Sequence, residues 1–172
     1  RTLDAALAPE FAGQARLRIS SLEPGQLDQH GLDALTACRM LCPHLHISLQ
    51  HGSQAVLKRM GRGHYTPAML EHAVSALSSH WPVMGLGADI IAGFPGETEE
   101  DFEELKEFVK KVRFDRMGAF AYSEEEGTFA AKEYEDSISH EVKQQRLDEL
   151  MALQQEIAGE LSQTKIGKEF KV

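Results

Sequence analysis

The stretch "CRMLCPHLHISLQHGS", residues 38–53, gathers two cysteines and three histidines within sixteen positions, the residue types that hold metals. An HxH pair on a strand aims both imidazoles the same way, so His44 and His46, completed by Cys42 or His51, could hold zinc for metal-assisted hydrolysis. No second His/Asp cluster follows, only the scattered His64, His72, His80 and His140, so histidines that are hydrogen-bonded or exposed stand ahead of a zinc centre. A CxxxCxxC run would hold a four-iron four-sulfur cluster with one iron open. Here Cys38 and Cys42 satisfy the first gap, but Leu45 stands at the third position and the chain has no further cysteine. No metal ligand is therefore assigned. Two cysteines four apart would share a helix face rather than brace separate elements, and Cys38 reads as a small apolar residue.

The composition narrows the partners. The 172 residues carry a net charge of −9 and a pI near 5.3, which opposes non-specific binding to nucleic acid or acidic membrane surfaces. An RNA partner would need a basic region that the sequence lacks. No apolar run is long enough to cross a bilayer and no leader is evident, so a cytoplasmic protein in a reducing compartment is expected. The length suits one domain or part of a larger one, and falls short of the roughly 250 residues of a complete eightfold barrel.

The elements that must position these residues alternate. "RLRISSL" (16–22), "HLHISLQ" (44–50), "GADIIAGF" (87–94) and "RMGAFAY" (116–122) read as strands separated by helical segments, which predicts an α/β fold with a parallel sheet. Leu32, Leu35 and Leu41 suggest one helix, Val56, Leu57 and Met60 a second, and Met69, Leu70, Ala73 and Leu77 a third behind Pro67. The next helix is the best signposted. Thr98 with Asp101 forms a capping-box pattern, Glu99 and Glu100 fill the first turn, Phe102, Leu105, Val109 and Val112 form a face, and Lys110 and Lys111 close it. A long last helix from about Ser139 to Thr164 carries Val142, Leu147, Leu150, Met151, Ala158 and Leu161 on one side, and "KEFKV" begins a strand.

Alternation puts His44, His46, Ser48 and Gln50 on one face of their strand and Leu45, Ile47 and Leu49 on the other. Arg16, Arg18 and Ser20 oppose Leu17 and Ile19 likewise. Buried parallel sheets are normally apolar on both faces, so a polar face predicts either a ligand-binding barrel lumen or an edge in water. Asp89 stands among Gly87, Ile91 and Gly93 on one face of its strand and needs a partner there, a ligand, a backbone group or Arg18. "AGFPGET" is a tight strand-to-helix turn whose carboxylates argue against a phosphate site.

Four motifs in order, "LRISSLEP", "CPHLHISLQHGSQAVLKRMGRGHYT", "ADIIAGFPGETEEDF" and "FAYSEEEGTFAA", resemble the second half of the radical-SAM domain of the methylthiotransferases. Those enzymes add a methylthio group to a modified adenosine of transfer RNA or to an aspartate of a small-subunit ribosomal protein. The resemblance implies the latter half of a partial parallel (βα) TIM-type barrel over residues 1–138, and a long C-terminal helix leading into a truncated TRAM-type domain over 139–172. It implies S-adenosylmethionine as cofactor and 4Fe-4S clusters whose ligands lie outside this chain. By the same resemblance Ser20, Ser21 and Glu23 face the ribose or methionine part of the cofactor, with Gln50 on the next strand. Asp89, Gly93 and Pro95 then form one wall, and Tyr122 and Ser123 the far one.

The sequence departs from the family pattern at Ser48 and His51, and "MGRGHYT" carries one residue more than the commonest spacing, which leaves the family position of Arg62 unassigned. Residues 16–97 look most like the transfer-RNA enzymes, and the later stretch like the ribosomal-protein enzymes. The resemblance predicts that this segment alone binds the cofactor weakly, turns nothing over, and self-associates through exposed sheet edges. A zinc-dependent hydrolase on the His44/His46 strand and a non-catalytic interaction domain are the alternatives.

Overall fold

The computed structural model describes residues 2–169. A three-stranded parallel sheet, in the order β1 (His44–Gln50), β2 (Gly85–Ala92), β3 (Arg116–Ala121), carries helices on one face. Helix α1 (Thr2–Phe11) precedes α2 (Gln29–Thr36), α3 (Gln54–Arg59) and α4 (Pro67–His80) bridge β1 and β2, and α5 (Glu99–Val112) bridges β2 and β3. A short α6 (Phe129–Glu133) and a 24-residue α7 (His140–Gln163) complete the chain. This is the α/β, partial-barrel arrangement with a long last helix that the sequence predicts.

The helix starts follow from side-chain chemistry. Thr98 accepts a hydrogen bond from the Asp101 amide at 3.1 Å while the Asp101 carboxylate accepts from the Thr98 amide at 3.0 Å, closing the expected capping box. Thr66 accepts from the Met69 amide, with Pro67 at the first turn where a missing N–H costs nothing. In β1 the alternation is fully expressed: Leu45, Ile47 and Leu49 are buried against the helices, and His44, His46, Ser48 and Gln50 are only half-buried on the opposite face. Leu86, Ala88, Ile90 and Ala92 of β2 extend the apolar face, and Leu70, Leu77, Phe102, Leu105, Val109 and Leu150 pack onto it.

Several elements differ from the expectation. Residues 16–22 do not form a continuous strand but touch β1 and its approach at two isolated parallel bridges, Leu17 with Leu41 and Leu22 with Ile47. Ser21 is in the left-handed region (φ 58°), which turns the chain out of the extended path between those bridges. Leu41 therefore sits in a bridge rather than on α2, which stops at Thr36. Cys38 and Cys42 do not share a helix face: Cys38 follows α2 and Cys42 lies in the extended segment, its amide bonded to Leu17 O.

β2 ends at Ala92 rather than Phe94, because Gly93 turns left-handed (φ 74°). Helix α1 lacks a clear amphipathic pattern and was not expected. It is held by Asp4, a buried carboxylate that accepts the Arg39 and Met40 amides, both at 2.9 Å. The inward face of α7 is Lys143, Arg146, Leu150, Gln154 and Ile157, whereas Val142 and Met151 of the expected face are exposed. The expected terminal strand "KEFKV" falls mainly on residues 170–172, outside the described residues.

Candidate functional site

The open face of the sheet is lined by β1 and β2 side chains that lie over glycines on their neighbours. His46 pairs in register with Gly87, and Asp89 with Gly118. A Cβ on Gly87 would stand 2.9 Å from His46 Nδ1, and one on Gly118 would stand 3.0 Å from Asp89 Oδ1, so the two polar side chains occupy space that larger residues would fill. His46 Nε2 meets Asp89 Oδ2 at 2.9 Å, which supplies the partner Asp89 requires. Arg18 pairs instead with His44, Nη2 to Nε2 at 3.1 Å. Burial, with the neighbouring Arg18 charge, pushes the His44 pKa below its ordinary value, and its Nδ1 is buried without a partner. His44 and His46 thus belong to two different pairs. Among the described residues no three His, Cys, Asp or Glu side chains converge as a metal-holding group, so the zinc alternative has no ligand set.

At the carboxyl ends of the strands, where parallel sheets place their ligands, a cleft of about 470 Å³ is lined by Gln50, Asp89, Ile91, Phe120, Tyr122 and Ser123, among others. Four of the residues expected to face a cofactor, one from β1, one from β2 and two from the end of β3, meet here. Gln50 reaches it through a register shift between Ile47 and Gln50 and a left-handed backbone (φ 71°). A non-glycine residue in that conformation is strained by roughly 1–2 kcal/mol, and such strain concentrates at ligand sites. The Tyr122 hydroxyl is buried without a partner. Its pKa is raised by burial first and then by the nearby Glu124, Asp136 and Glu125 carboxylates.

The remaining expected site residues lie elsewhere. Ser20 and Ser21 are exposed on the 16–22 segment, and Glu23 is engaged by Arg62 at 2.8 Å and His64 at 3.1 Å. Gly93 and Pro95 are buried behind the sheet end, where Gly93 has no room for a Cβ because Lys143 Cγ would lie 2.5 Å away. Neither lines the cleft.

A second polar assembly, not anticipated from the sequence, underlies the rim of this cleft. His51 and Glu97 have no exposed side-chain surface and meet at 3.1 Å, Nε2 to Oε2. The Ser53 amide donates to His51 Nδ1 at 2.9 Å, so Nε2 carries the proton and donates to Glu97. Glu97 Oε2 also accepts the Gly93 amide at 2.8 Å, and Oε1 accepts Arg146 Nη1 at 2.8 Å. Arg146, itself buried, donates its other arm to Glu99 at 3.1 Å and lies over the Phe102 ring. Ser53 Oγ donates to Asp101 at 2.6 Å, joining the helix cap to the same assembly. The carboxyl end of β1, the turn after β2 and α7 are thereby held together directly beside Gln50. A readable sign existed: Lys143 and Arg146 fall three apart, in phase with Leu150, Gln154 and Ile157.

Comparison with known proteins agrees with this geometry. The family model of the Radical SAM superfamily matches residues 4–109. A ribosomal protein uS12 methylthiotransferase (RimO) from Phocaeicola vulgatus is 70% identical over 132 residues, covering 77% of this chain and 30% of that protein. One from Bacteroides fragilis is 47% identical over 163 residues, covering 95% of this chain and 38% of that protein. The chain therefore spans about a third of the length of these curated relatives, and both stretches of the sequence that resemble different subgroups fall within the second match. Among solved structures, coproporphyrinogen III oxidase (HemN) from Escherichia coli, described as a radical SAM enzyme, aligns with a TM-score of 0.72 at 21% identity, covering 91% of this chain and 36% of that one, a likeness of fold. With the family model covering well over half of its length, and with the partial parallel barrel that its strands build, this chain belongs to the radical SAM superfamily.

Proposed function

We propose that the chain forms the cofactor-facing later half of the catalytic domain of a methylthiotransferase that modifies an aspartate of ribosomal protein uS12. The observation that carries the reading is the convergence of Gln50, Asp89, Tyr122 and Ser123 on one cleft at the carboxyl ends of the strands. The 70% identity to an enzyme bearing that name favours uS12 over transfer RNA. Residues 1–138 then belong to the half barrel and residues 139–172 to the long helix, α7 (His140–Gln163), and the start of a following TRAM-type domain, in a protein that works in the cytoplasm. No helix among the described residues is long and apolar enough to cross a membrane.

The donors present fit S-adenosylmethionine. Gln50, Asp89 and Ser123 offer hydrogen-bonding groups, Ile91 and Phe120 offer an apolar wall, and the cleft has the size of a small-molecule site. They do not fit a cluster: Cys38 and Cys42 are the only cysteines, and Cys38 Sγ is turned to the Ala34 carbonyl at 3.3 Å. When bound beside a four-iron four-sulfur cluster held by another part of the protein, the cofactor supplies radical initiation and a methyl group. The task left to this segment is to bind and orient. Asp89, fixed by His46, presents a carboxylate, and the His51–Glu97–Arg146 assembly keeps the Gln50 and Gly93 backbones in place.

Titrating S-adenosylmethionine into isotopically labelled protein tests this reading by amide shifts. Weak, saturable shifts confined to the surroundings of Gln50, Asp89 and Tyr122, lost in Gln50→Ala, are expected. Shifts centred on His44 and Arg18, or none at millimolar cofactor, would refute it.

A further inference from the structure

The loop that leaves β3, residues 122–128, and the start of α6 form one lip of the cofactor cleft: Tyr122, Ser123, Glu125, Thr128 and Ala130 line it. Residues 123–129 are all exposed. The lip combines two properties. The first is charge without counter-charge. Several carboxylates elsewhere are matched: Glu103 and Glu149 flank Lys106, and Glu107 meets Lys110. Glu71 meets Lys111, and Glu160 meets Arg113. Glu124, Glu125 and Glu126 make no ion pair among the described residues. From residue 122 to 137 six carboxylates face a single lysine, Lys132, and the nearby Lys143 is committed to Asp136. The second property is exposed aromatic surface: Phe120 is 58% exposed on the cleft wall and Phe129 67% exposed at the first turn of α6.

The loop's frame is firm. Thr128 caps α6 by accepting the Ala131 amide, and its hydroxyl donates to Glu125 O at 2.8 Å. Phe129 stacks edge-on with Tyr134, and Tyr134 with Phe94, so the lip is tied to the turn after β2. An uncompensated acidic stretch held in place beside exposed aromatic rings is a surface arranged for a cationic, partly apolar chain.

We propose that this lip is a docking surface for a basic polypeptide segment of the substrate, seated along the Phe120/Phe129 edge of the cleft with its lysines and arginines over Glu124, Glu125 and Glu126. The assignment rests on the methylthiotransferase reading and gives it a substrate class. A ribosomal protein carries basic segments because it packs against RNA phosphates, whereas an RNA strand would bring phosphates against the three carboxylates. Charges at a rim act mainly by steering encounter and choosing partners.

The test measures binding of fluorescently labelled uS12 to the whole chain, with bulk transfer RNA and an unrelated lysine-rich peptide in parallel. The variants are Glu124→Gln/Glu125→Gln/Glu126→Gln, a control with the same charge change elsewhere (Glu104→Gln/Glu156→Gln/Glu169→Gln), and Phe129→Ala. Unchanged circular dichroism and melting qualify each one. At low salt the lip variant should weaken uS12 binding roughly tenfold, mostly through slower association, and flatten its salt dependence, while the control changes it no more than about twofold. Phe129→Ala should speed dissociation. Equal losses in the lip variant and the control, or transfer RNA binding more tightly than uS12, would overturn the proposal. Absence of any uS12 or peptide binding would overturn it too, and would leave the cofactor reading to stand on the shifts around Gln50. Lip-dependent binding of the peptide with no preference for uS12 would uphold the basic-polypeptide surface and count against uS12 as the substrate.

Discussion

Removing Arg146 is the sharpest perturbation of the buried assembly beside the cleft. Arg146→Met keeps most of the side chain's length and its packing over Phe102, but withdraws the guanidinium that lies 2.8 Å from Glu97 Oε1. Glu97 has no exposed side-chain surface, so water cannot replace the lost donor. Its carboxylate is left with His51 Nε2–H and the Gly93 and Phe94 amides, all on the other oxygen. Breaking a buried pair by removing one partner costs about 3–5 kcal/mol. A domain of this size has about 5–15 kcal/mol in all, and about 2–4 °C of melting temperature per kcal/mol. Urea and thermal unfolding should therefore show a melting point lower by roughly 6–20 °C. Adding Glu97→Gln should recover part of the loss, because the group left buried is then neutral, giving a coupling of about 2 kcal/mol in the double-mutant cycle. A cost below about 1 kcal/mol, the value of an exposed pair, would refute the reasoning, as would strictly additive effects.

Three further outcomes follow from the geometry. The His44 pKa is held below its ordinary 6.5 by burial and Arg18, so the folded state resists a proton that the unfolded state accepts. Stability should then be fully present above pH 6.5 and decline as pH falls through the folded-state value, a slope that His44→Gln reduces in urea titrations. Gln50→Gly should relieve the left-handed strain and raise stability by about 1 kcal/mol while weakening cofactor binding, since the same residue lines the cleft. β3 stands at one end of the sheet with Phe120 exposed, so sedimentation should show concentration-dependent association that Phe120→Ser lowers.

Where local chemistry decides an element, it was legible. The Thr98–Asp101 box, Pro67 behind Thr66 and the alternation of β1 all specify their own neighbourhoods within a few residues. What escaped reading depended on partners far along the chain. Residues 16–22 alternate as a strand should, but Ser21's left-handed turn leaves no mark in residue type. The burial of Lys143 and Arg146 on α7 is set by Asp136 and by Glu97 and Glu99, the latter pair almost fifty positions away. Hydrophobic periodicity assigns such cations to water and so chose Val142 and Met151 for the inner face.

The site divides along the same line. Gln50, Asp89, Tyr122 and Ser123, placed at the cofactor by the family resemblance, line one cleft because parallel strands deliver their carboxyl ends to one rim. The pairing of His51 with Glu97 is not legible in the sequence, since His51 reads there only as a candidate zinc ligand and Glu97 only as a carboxylate of the turn until the fold sets one against the other. Glu23, expected at the cofactor, lies outside that cleft and is paired with Arg62 and His64.

The most direct test of the central claim is a transplant. In the Phocaeicola vulgatus uS12 methylthiotransferase, the matching segment is replaced by this chain, and the folded, cluster-loaded hybrid is expressed in cells lacking their own enzyme. Mass spectrometry of uS12 peptides should show the methylthio group on the target aspartate, with transfer RNA unchanged. A hybrid that folds and loads its clusters yet leaves uS12 unmodified, or that modifies transfer RNA instead, would contradict the account.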